Sequence, residues 1–469
     1  MNYRKSLCHF PFAVILISLV SFWIPTVSHS QQLTRGPFIQ SAGEEQFGQD
    51  FAATLVWRTD LPTNAVLNYG PSPQQLTSQT IIPFQTIDHA VRLSSISPGQ
   101  TVYYEIGYQD SSGTTVPIGG GTTDHFIQAP ASISTDALFV SFIGDPGIQG
   151  GLGDTVRDGY LSYLGASQPD LQFFLGDNGY TCGRQFDVEQ PLFERWQAKF
   201  HPSIPMFALR GNHDGLISYC LNDDYFSIVT NPALGESGGP VSNSEEYFDV
   251  HWRYGNSAVV FIALGVEDSL LQPSSSMLQW LDQVKAWIDQ LPAEQKRWVV
   301  GLDHFPAYSD GSHNSNIDPM LVTFRENVVR ELAPYLDIMI AGHSHGYERS
   351  YFLDSNNSDC FQRTTLLTPL EIENCKLKNP LQILPSLPQP NDTFSKATFP
   401  NGFISVVTGS SSDTRAASYS HPFMKVSAEI RGIFHGSFKK KRAQFTLADE
   451  NGVVFDRFSI TKSQGFQLK

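Results

Sequence analysis

Residues 137–147 read ALFVSFIGDPG, an apolar β-rich run that ends abruptly in Gly144, Asp145, Pro146 and Gly147. Four later runs have the same form, namely LQFFL, MFAL, RWVVGL and DIMIA. The polar residues that follow them are Gly176-Asp177-Asn178-Gly179-Tyr180, Arg210-Gly211-Asn212-His213-Asp214, Asp303-His304 and Gly342-His343-Ser344-His345. The carboxyl ends of parallel strands share one edge of a sheet, so the pattern predicts that these side chains converge in one crevice.

The converging residue types suit a pair of metal ions. Two ions about 3.5 to 4 Å apart need a bridging ligand, and the two oxygens of a carboxylate can bridge them. Asp177 is the candidate bridge. Carboxylate and phenolate oxygens suit Fe(III) or Mn(II), and imidazole suits Fe and Zn. One ion would be held by Asp145, Asp177, Tyr180 and His345, and the other by Asp177, Asn212, His304 and His343. Each motif taken alone occurs as often in a turn or a protein core as in a metal site. The prediction of a metal site therefore depends on all five motifs together.

The ordered set GDxG, GDxxY, GNHD, a strand-ending His and GHxH resembles the metallophosphoesterase, or calcineurin-like, superfamily. Tyr180 in GDxxY, with the string GHSHGYERS at 342–350, resembles the purple acid phosphatases within it. The resemblance implies that the ion bound by Tyr180 is Fe(III) and that the other ion is divalent Zn, Mn or Fe. One departure is Gly301, which stands where family members usually have Val.

The resemblance implies a phosphatase that hydrolyses phosphate monoesters through a metal-activated hydroxide. His213 and His313 are the candidate catalytic histidines, which would hydrogen-bond the phosphoryl oxygens, and one of them would protonate the leaving alcohol. Asp214 is grouped with them because it could orient His213. Two alternatives stay open: a phosphodiesterase or nucleotide-directed hydrolase on the same metal pair, and a non-catalytic binding protein.

The 469-residue chain divides into three parts by pattern. Residues 1–30 have Arg4 and Lys5, a mostly apolar run and small residues before Gln31, which predicts a secretory signal peptide; an uncleaved membrane anchor is the alternative. Residues 31–132 show short strands between Gly and Pro residues, which predicts an all-β sandwich that resembles a fibronectin type III module. For residues 133–469 the resemblance implies an α/β (α+β) catalytic domain, a four-layer β-sandwich flanked by helices. The local sequence pattern there predicts a helix at 275–291 and a surface insertion at 352–400.

Charge and cysteine content narrow the partners and the compartment. Residues 1–30 contain two of the 31 Lys and Arg residues and none of the 46 Asp and Glu residues, so their removal changes the net charge from −15 to −17. This acidity argues against nucleic acid as the main partner. The resemblance implies a phosphorylated small molecule as the substrate. Four cysteines remain, and an even count in a secreted, periplasmic or extracellular protein favours two disulfides. Local pairing would join Cys182 to Cys220 and Cys360 to Cys375, one of three connectivities.

Overall fold

The computed structural model describes residues 31–45, 50–131, 137–180, 182–215, 225–255, 257–265, 273–378 and 392–462. The predicted signal peptide, 1–30, and the predicted domain boundary after residue 132 lie outside these residues. The first part of the chain consists of antiparallel strands: β1 (Leu33–Glu44), β2 (Phe51–Gly70), β3 (Ser78–Ile96), β4 (Thr101–Gln109), β5 (Thr115–Gly120) and β6 (Phe126–Gln128). An all-β region is what the sequence predicts here; its fibronectin type III-like identity stays a prediction.

The described residues of the rest of the chain add fifteen strands, which are divided between two mixed sheets. They are β7 (Leu138–Ile143), β8 (Leu171–Leu175), β9 (Met206–Leu209), β10 (Phe248–Tyr254), β11 (Ser257–Ala263), β12 (Trp298–Asp303), β13 (Ile338–Ala341), β14 (Tyr347–Ser350), β15 (Leu353–Asp354), β16 (Asp392–Ser395), β17 (Gly402–Thr408), β18 (Met424–Ala428), β19 (Gly432–Lys439), β20 (Arg442–Asp449) and β21 (Val454–Thr461). The first sheet has the order β16-β21-β20-β19-β7-β8-β9 and continues through β1 into the N-terminal strands. The second has the order β10-β11-β12-β13-β17-β14-β18.

Parallel pairing places the predicted site at one end of each sheet. In the first sheet β7, β8 and β9 run parallel, and in the second β11, β12, β13 and β17 do. Three of the five polar motifs therefore follow strands of the first sheet and two follow strands of the second. The crevice lies at the carboxyl ends of both.

Helices cover the outer faces of the sheets. They are α1 (Gly153–Leu164), α2 (Gln185–Val188), α3 (Tyr225–Ile228), α4 (Ser275–Gln290), α5 (Pro319–Phe324), α6 (Arg330–Leu332) and α7 (Pro369–Asn374), with π-helical turns at Glu189–Glu194 and Arg325–Val329. The predicted helix at 275–291 is confirmed as α4. Its N-terminus is capped by Ser274, whose Oγ accepts a hydrogen bond from Met277 N at 3.0 Å.

Side-chain alternation along the strands builds the layers. Phe142 and Phe173 point between the two sheets, where they join a core that includes Phe261 and Val300. Phe174 points outward from the first sheet against Tyr160 of α1, while Ile262 and Val284 of α4 share the outer core of the second sheet. This helix, sheet, sheet, helix stack is the predicted four-layer arrangement.

The basic run Lys439-Lys440-Lys441-Arg442 forms the turn of the β19–β20 hairpin, where Lys439 pairs with Arg442. The predicted disulfides can also be compared with the structure. Cys360 and Cys375 form the predicted disulfide in the insertion. Cys182 is also disulfide-bonded, and its predicted partner Cys220 lies outside the described residues. Within the part of the chain that the structure describes, helices long and apolar enough to cross a membrane are absent.

Candidate metal centre

The seven predicted metal ligands come together at the carboxyl edges of the two sheets. Two buried groups have ligand atoms that all lie within 4.8 Å of one another: Asp177 with His304 and His343, and Asp145 with Asp177 and His345. Asp177 belongs to both groups, which is the position required of a bridge. Tyr180 joins one group through its hydroxyl and Asn212 the other through its side-chain oxygen.

The loops that carry these residues are held in an uncommon backbone conformation. Asp145, Asp177 and His343 have left-handed φ values of 55°, 52° and 67°, which cost free energy for residues other than Gly and cluster at functional sites. The adjacent Gly211 has no room for a side chain, because an added Cβ would lie 2.2 Å from Asp177 N and 2.3 Å from Asp177 Oδ1. The glycine therefore lets the third loop pack directly against the second.

The first group places three kinds of ligand atom around one point. The Tyr180 hydroxyl lies 2.9 Å from Asp177 Oδ2 and 3.2 Å from His345 Nε2. His345 Nε2 lies 3.4 Å from Asp145 Oδ1. The other oxygen of Asp145 accepts a hydrogen bond from His343 N at 2.7 Å, which fixes the carboxylate.

The second group is centred on His304. Its Nδ1 lies 2.8 Å from the Leu175 carbonyl oxygen, which can only accept, so Nδ1 carries the proton and Nε2 has a free lone pair. Nε2 lies 2.9 Å from Asn212 Oδ1, 3.2 Å from His343 Nδ1 and 3.3 Å from Asp177 Oδ1. Separations of about 3 Å are those between neighbouring ligand atoms of an ion bound at about 2.1 Å.

Burial opposes charge on each titratable ligand of the site. It raises the pKa of Asp145 to about 7, and burial followed by the charge of Asp145 raises the pKa of Asp177. Burial lowers the pKa of His304 and of His343, and lowers that of His345 to about 4. Burial, followed by the charge of Asp177, raises the pKa of Tyr180. Neutral imidazoles have the free lone pairs that metals need, whereas buried carboxylates need a cation to stay ionised.

These donors fit two cations. Asp145 Oδ1 is buried and has no hydrogen-bond partner among the described residues, and it lies 3.4 Å from His345 Nε2. An orphaned buried carboxylate oxygen costs free energy unless something binds it. The mixed oxygen and nitrogen donor set is suited to Fe, Mn or Zn.

The three predicted catalytic residues occupy different positions. His213 is half-buried with its ring 4.2 Å from that of Tyr180, and His313 is half-buried with its ring stacked 3.8 Å from that of His343. Each histidine therefore flanks a different group of ligands. Asp214 is fully buried, and its carboxylate accepts hydrogen bonds from Asn178, Gly179 and Gly211. That geometry gives Asp214 a positioning role for the loops.

Sequence reasoning missed one segment of the site. Strand β17 runs parallel to β13, so the residues that follow Thr408 reach the same edge. Ser412 Oγ donates to the Asp145 carbonyl oxygen and Arg415 N donates to the His345 carbonyl oxygen at 3.0 Å. The apolar run ending at Val407 was the available signal. Gly301 also has an explanation, since a Cβ there would lie 2.6 Å from Met339 Sδ.

Comparison with known proteins agrees with this geometry. Residues 140–347 match the calcineurin-like phosphoesterase family. Purple acid phosphatase 15 of Arabidopsis thaliana is 25% identical over 321 residues, which cover 63% of this chain and 53% of that protein. Phosphoenolpyruvate phosphatase of Allium cepa is 25% identical over 372 residues, which cover 73% of this chain and 67% of that protein. The chain thus spans about half the length of the first relative and about two thirds of the second.

Solved structures share the fold. Purple acid phosphatase PPD1 from yellow lupin (Lupinus luteus) seeds superposes with a TM-score of 0.63 at 16% identity, covering 90% of this chain and 74% of that one. A structure of PhoD gives a TM-score of 0.52 at 10% identity, covering 90% of each chain. Residues 140–347 thus resemble a calcineurin-like phosphoesterase domain, and the chain shares its fold with a purple acid phosphatase.

Proposed function

We propose that this chain is a secreted binuclear-metal phosphatase that hydrolyses phosphate monoesters of small molecules. Fe(III) would be held by Asp145, Asp177, Tyr180 and His345, and divalent Zn, Mn or Fe by Asp177, Asn212, His304 and His343. The observation that carries the proposal is the sharing of Asp177 by two buried ligand groups. The names of the relatives, purple acid phosphatase and phosphoenolpyruvate phosphatase, support a monoester substrate. Secretion is supported by the sequence pattern of residues 1–30.

The chemistry divides between the ions and the protein. When bound, a metal pair lowers the pKa of water and neutralises charge on the phosphate during in-line displacement. The side chains of His213 and His313 would hydrogen-bond the phosphoryl oxygens from two sides, and an imidazole N–H would protonate the leaving alcohol. The tilted contact of His213 with Tyr180 and the stacking of His313 on His343 hold the two rings in place, so little reorganisation is needed when substrate binds.

Metal analysis and visible absorption of the purified protein test the proposal. We expect iron and a divalent metal in similar amounts, a tyrosinate-to-iron absorption band, and faster turnover of a phosphate monoester than of a diester. Tyr180→Phe should lose the band. Tyr335→Phe is a matched control, because that hydroxyl is exposed and hydrogen-bonds Asp289.

The bridging role has its own test. Asp177→Ala should lose both metals and hydrolysis, because it removes a ligand from each shell. Near-wild-type hydrolysis by this variant after metal removal and re-addition would disprove the bridge. A colourless, active wild-type protein that contains only Zn or Mn would reject the Fe(III) assignment and retain the phosphatase.

A further inference from the structure

The segment 409–420, which follows β17, is attached to the loops of the metal centre by hydrogen bonds. Ser411 N donates to the Gly144 carbonyl oxygen at 3.1 Å, and Tyr419 N donates to the Asp310 carbonyl oxygen at 2.9 Å. With the contacts of Ser412 and Arg415 already described, the segment contacts the loops that carry Asp145, His345 and His313. It therefore forms one wall of the site.

Arg415 has a fixed backbone and an exposed side chain. Its backbone N–H donates to the His345 carbonyl oxygen. The Tyr419 hydroxyl lies 2.8 Å from the Arg415 carbonyl oxygen and 3.2 Å from the His345 carbonyl oxygen. The Tyr419 ring packs over Gly346, where an added Cβ would lie 2.3 Å from the hydroxyl. These contacts hold the backbone of Arg415 at the rim of the metal centre, and the residue is exposed.

The hydrogen bonds of the segment place Arg415 beside His345. Arg415 N and the Tyr419 hydroxyl lie 3.0 Å and 3.2 Å from the His345 carbonyl oxygen. The same segment is bonded through Ser412 to Asp145 and through Tyr419 to Asp310, which lies three residues before His313. Arg415 therefore lies on the wall of the crevice next to His345.

Arg415 is also available to a ligand. The nearby acid Asp413 lies 3.9 Å from Arg431, which also pairs with Glu450 at 3.2 Å, and Asp310 accepts hydrogen bonds from Ser418 and Ser420. Among the described residues, carboxylates within 4.0 Å of the Arg415 guanidinium are absent. An arginine fork with free donors binds a carboxylate or a phosphate in a bidentate manner.

We propose that Arg415 is a specificity-determining residue that binds a second anionic group, a carboxylate or a phosphate, on the leaving-group side of the substrate. The inference rests on the proposed phosphatase function, in which His213 and His313 bind the transferred phosphoryl group deeper in the crevice. The exposed position of Arg415 at the rim places it beside the part of the substrate that departs. The substrate class is therefore a phosphate monoester whose leaving group is itself negatively charged.

Matched substrates test this assignment. 4-Carboxyphenyl phosphate and inorganic diphosphate have the second anion, and 4-carbamoylphenyl phosphate has a neutral group of similar size. In Arg415→Ala, kcat/KM for the carboxyl substrate should fall about tenfold relative to the carbamoyl substrate, mainly through KM. Arg415→Lys should recover part of the preference. A loss confined to either the carboxyl substrate or diphosphate would identify which anion is recognised.

The controls separate the possible failures. Arg330→Ala removes a surface arginine on α6 and should leave the substrate ratio unchanged. Wild-type metal content in Arg415→Ala excludes a folding defect. An unchanged ratio, or an equal loss with both aryl phosphates, would overturn the role of Arg415 while the phosphatase stands. A wild-type protein that hydrolyses none of these substrates would overturn the phosphatase itself.

Discussion

Asp214 shows how a predicted catalytic residue can contribute by holding backbone. Its Oδ2 accepts from Gly211 N at 2.9 Å and from Asn178 N at 3.0 Å, and its Oδ1 accepts from Gly179 N at 2.8 Å. These donors belong to the two loops that present Asp177, Tyr180 and Asn212. Burial, followed by the charge of Asp177, raises the pKa of Asp214, so the N–H groups around it are what favour its charged form.

We therefore expect Asp214→Asn to weaken the protein and its metal binding. The side-chain amide of the variant replaces an accepting oxygen by an NH2 group, which faces backbone N–H donors. This mismatch should lower the free energy of unfolding by about 2 to 4 kcal/mol. Urea unfolding and metal titration measure the two effects. Asp158→Asn is the control, since this side chain on α1 is 65% exposed and should change stability by less than about 0.5 kcal/mol. Normal stability with a lost kcat would instead support a direct catalytic role.

At the scale of elements, the sequence is informative where a pattern is local. The apolar runs before Asp145, Asp177 and Asn212 become strands, and Ser274 caps α4, because alternation and capping depend on neighbouring residues. The division of the motifs between two sheets is not readable in this way. Strands buried on both faces are apolar throughout, so their sequences do not indicate which strand pairs with them.

The same limit explains the parts of the site that were missed. The left-handed conformations of Asp145 and His343 depend on the close packing of loops that are far apart in sequence. Arg415 lies 70 residues after His345 and enters the site only because β17 pairs with β13. Motif spacing predicts the ligands, while long-range strand pairing decides which other side chains surround them.

His435 of β19 allows a pH prediction about the packing of α1 on the first sheet. The side chain is buried against Phe139 and Tyr163, and burial lowers its pKa from 6.5 to about 3. Between these values the unfolded chain binds a proton that the folded chain does not. The contribution of the neutral His435 ring to the free energy of unfolding is therefore fully present above pH 6.5 and is lost as the pH falls toward 3.

At pH 4.5 this histidine should cost the wild type about 2 to 3 kcal/mol of stability relative to pH 7.5. His435→Gln keeps a hydrogen-bond partner for the Tyr163 hydroxyl, which lies 3.2 Å from Nε2, and removes the titration. We expect urea unfolding to show that the free energy of unfolding decreases less between pH 7.5 and pH 4.5 in the variant than in the wild type. The difference between the two decreases should be that same amount. The same loss in both proteins would show that His435 is not buried as a neutral ring.

Over the whole molecule, the N-terminal strands are joined to the catalytic region by more than chain connectivity. Strand β1 pairs with β9 through Gln40 and Met206. Arg35 of β1 is 6% exposed, with its guanidinium 2.7 Å from Asp88 and 3.0 Å from Glu189. Glu189 directly follows α2, whose Val188 leaves no room for a side chain on Gly179. The N-terminal region thus supports the loop that presents Tyr180.

Arg35→Ala tests this connection. It should lower the free energy of unfolding by about 1 to 3 kcal/mol, because Glu189, whose side chain is 27% exposed, is left without its principal counter-charge. Burial already raises the pKa of Glu189, so Glu189→Gln in the same chain should restore part of the loss. Arg330→Ala breaks an exposed pair, with side chains 49% and 50% exposed, and should cost less than about 1 kcal/mol. Equal small losses in urea unfolding of Arg35→Ala and Arg330→Ala would mean that the two regions fold independently and that Tyr180 is positioned by the catalytic region alone.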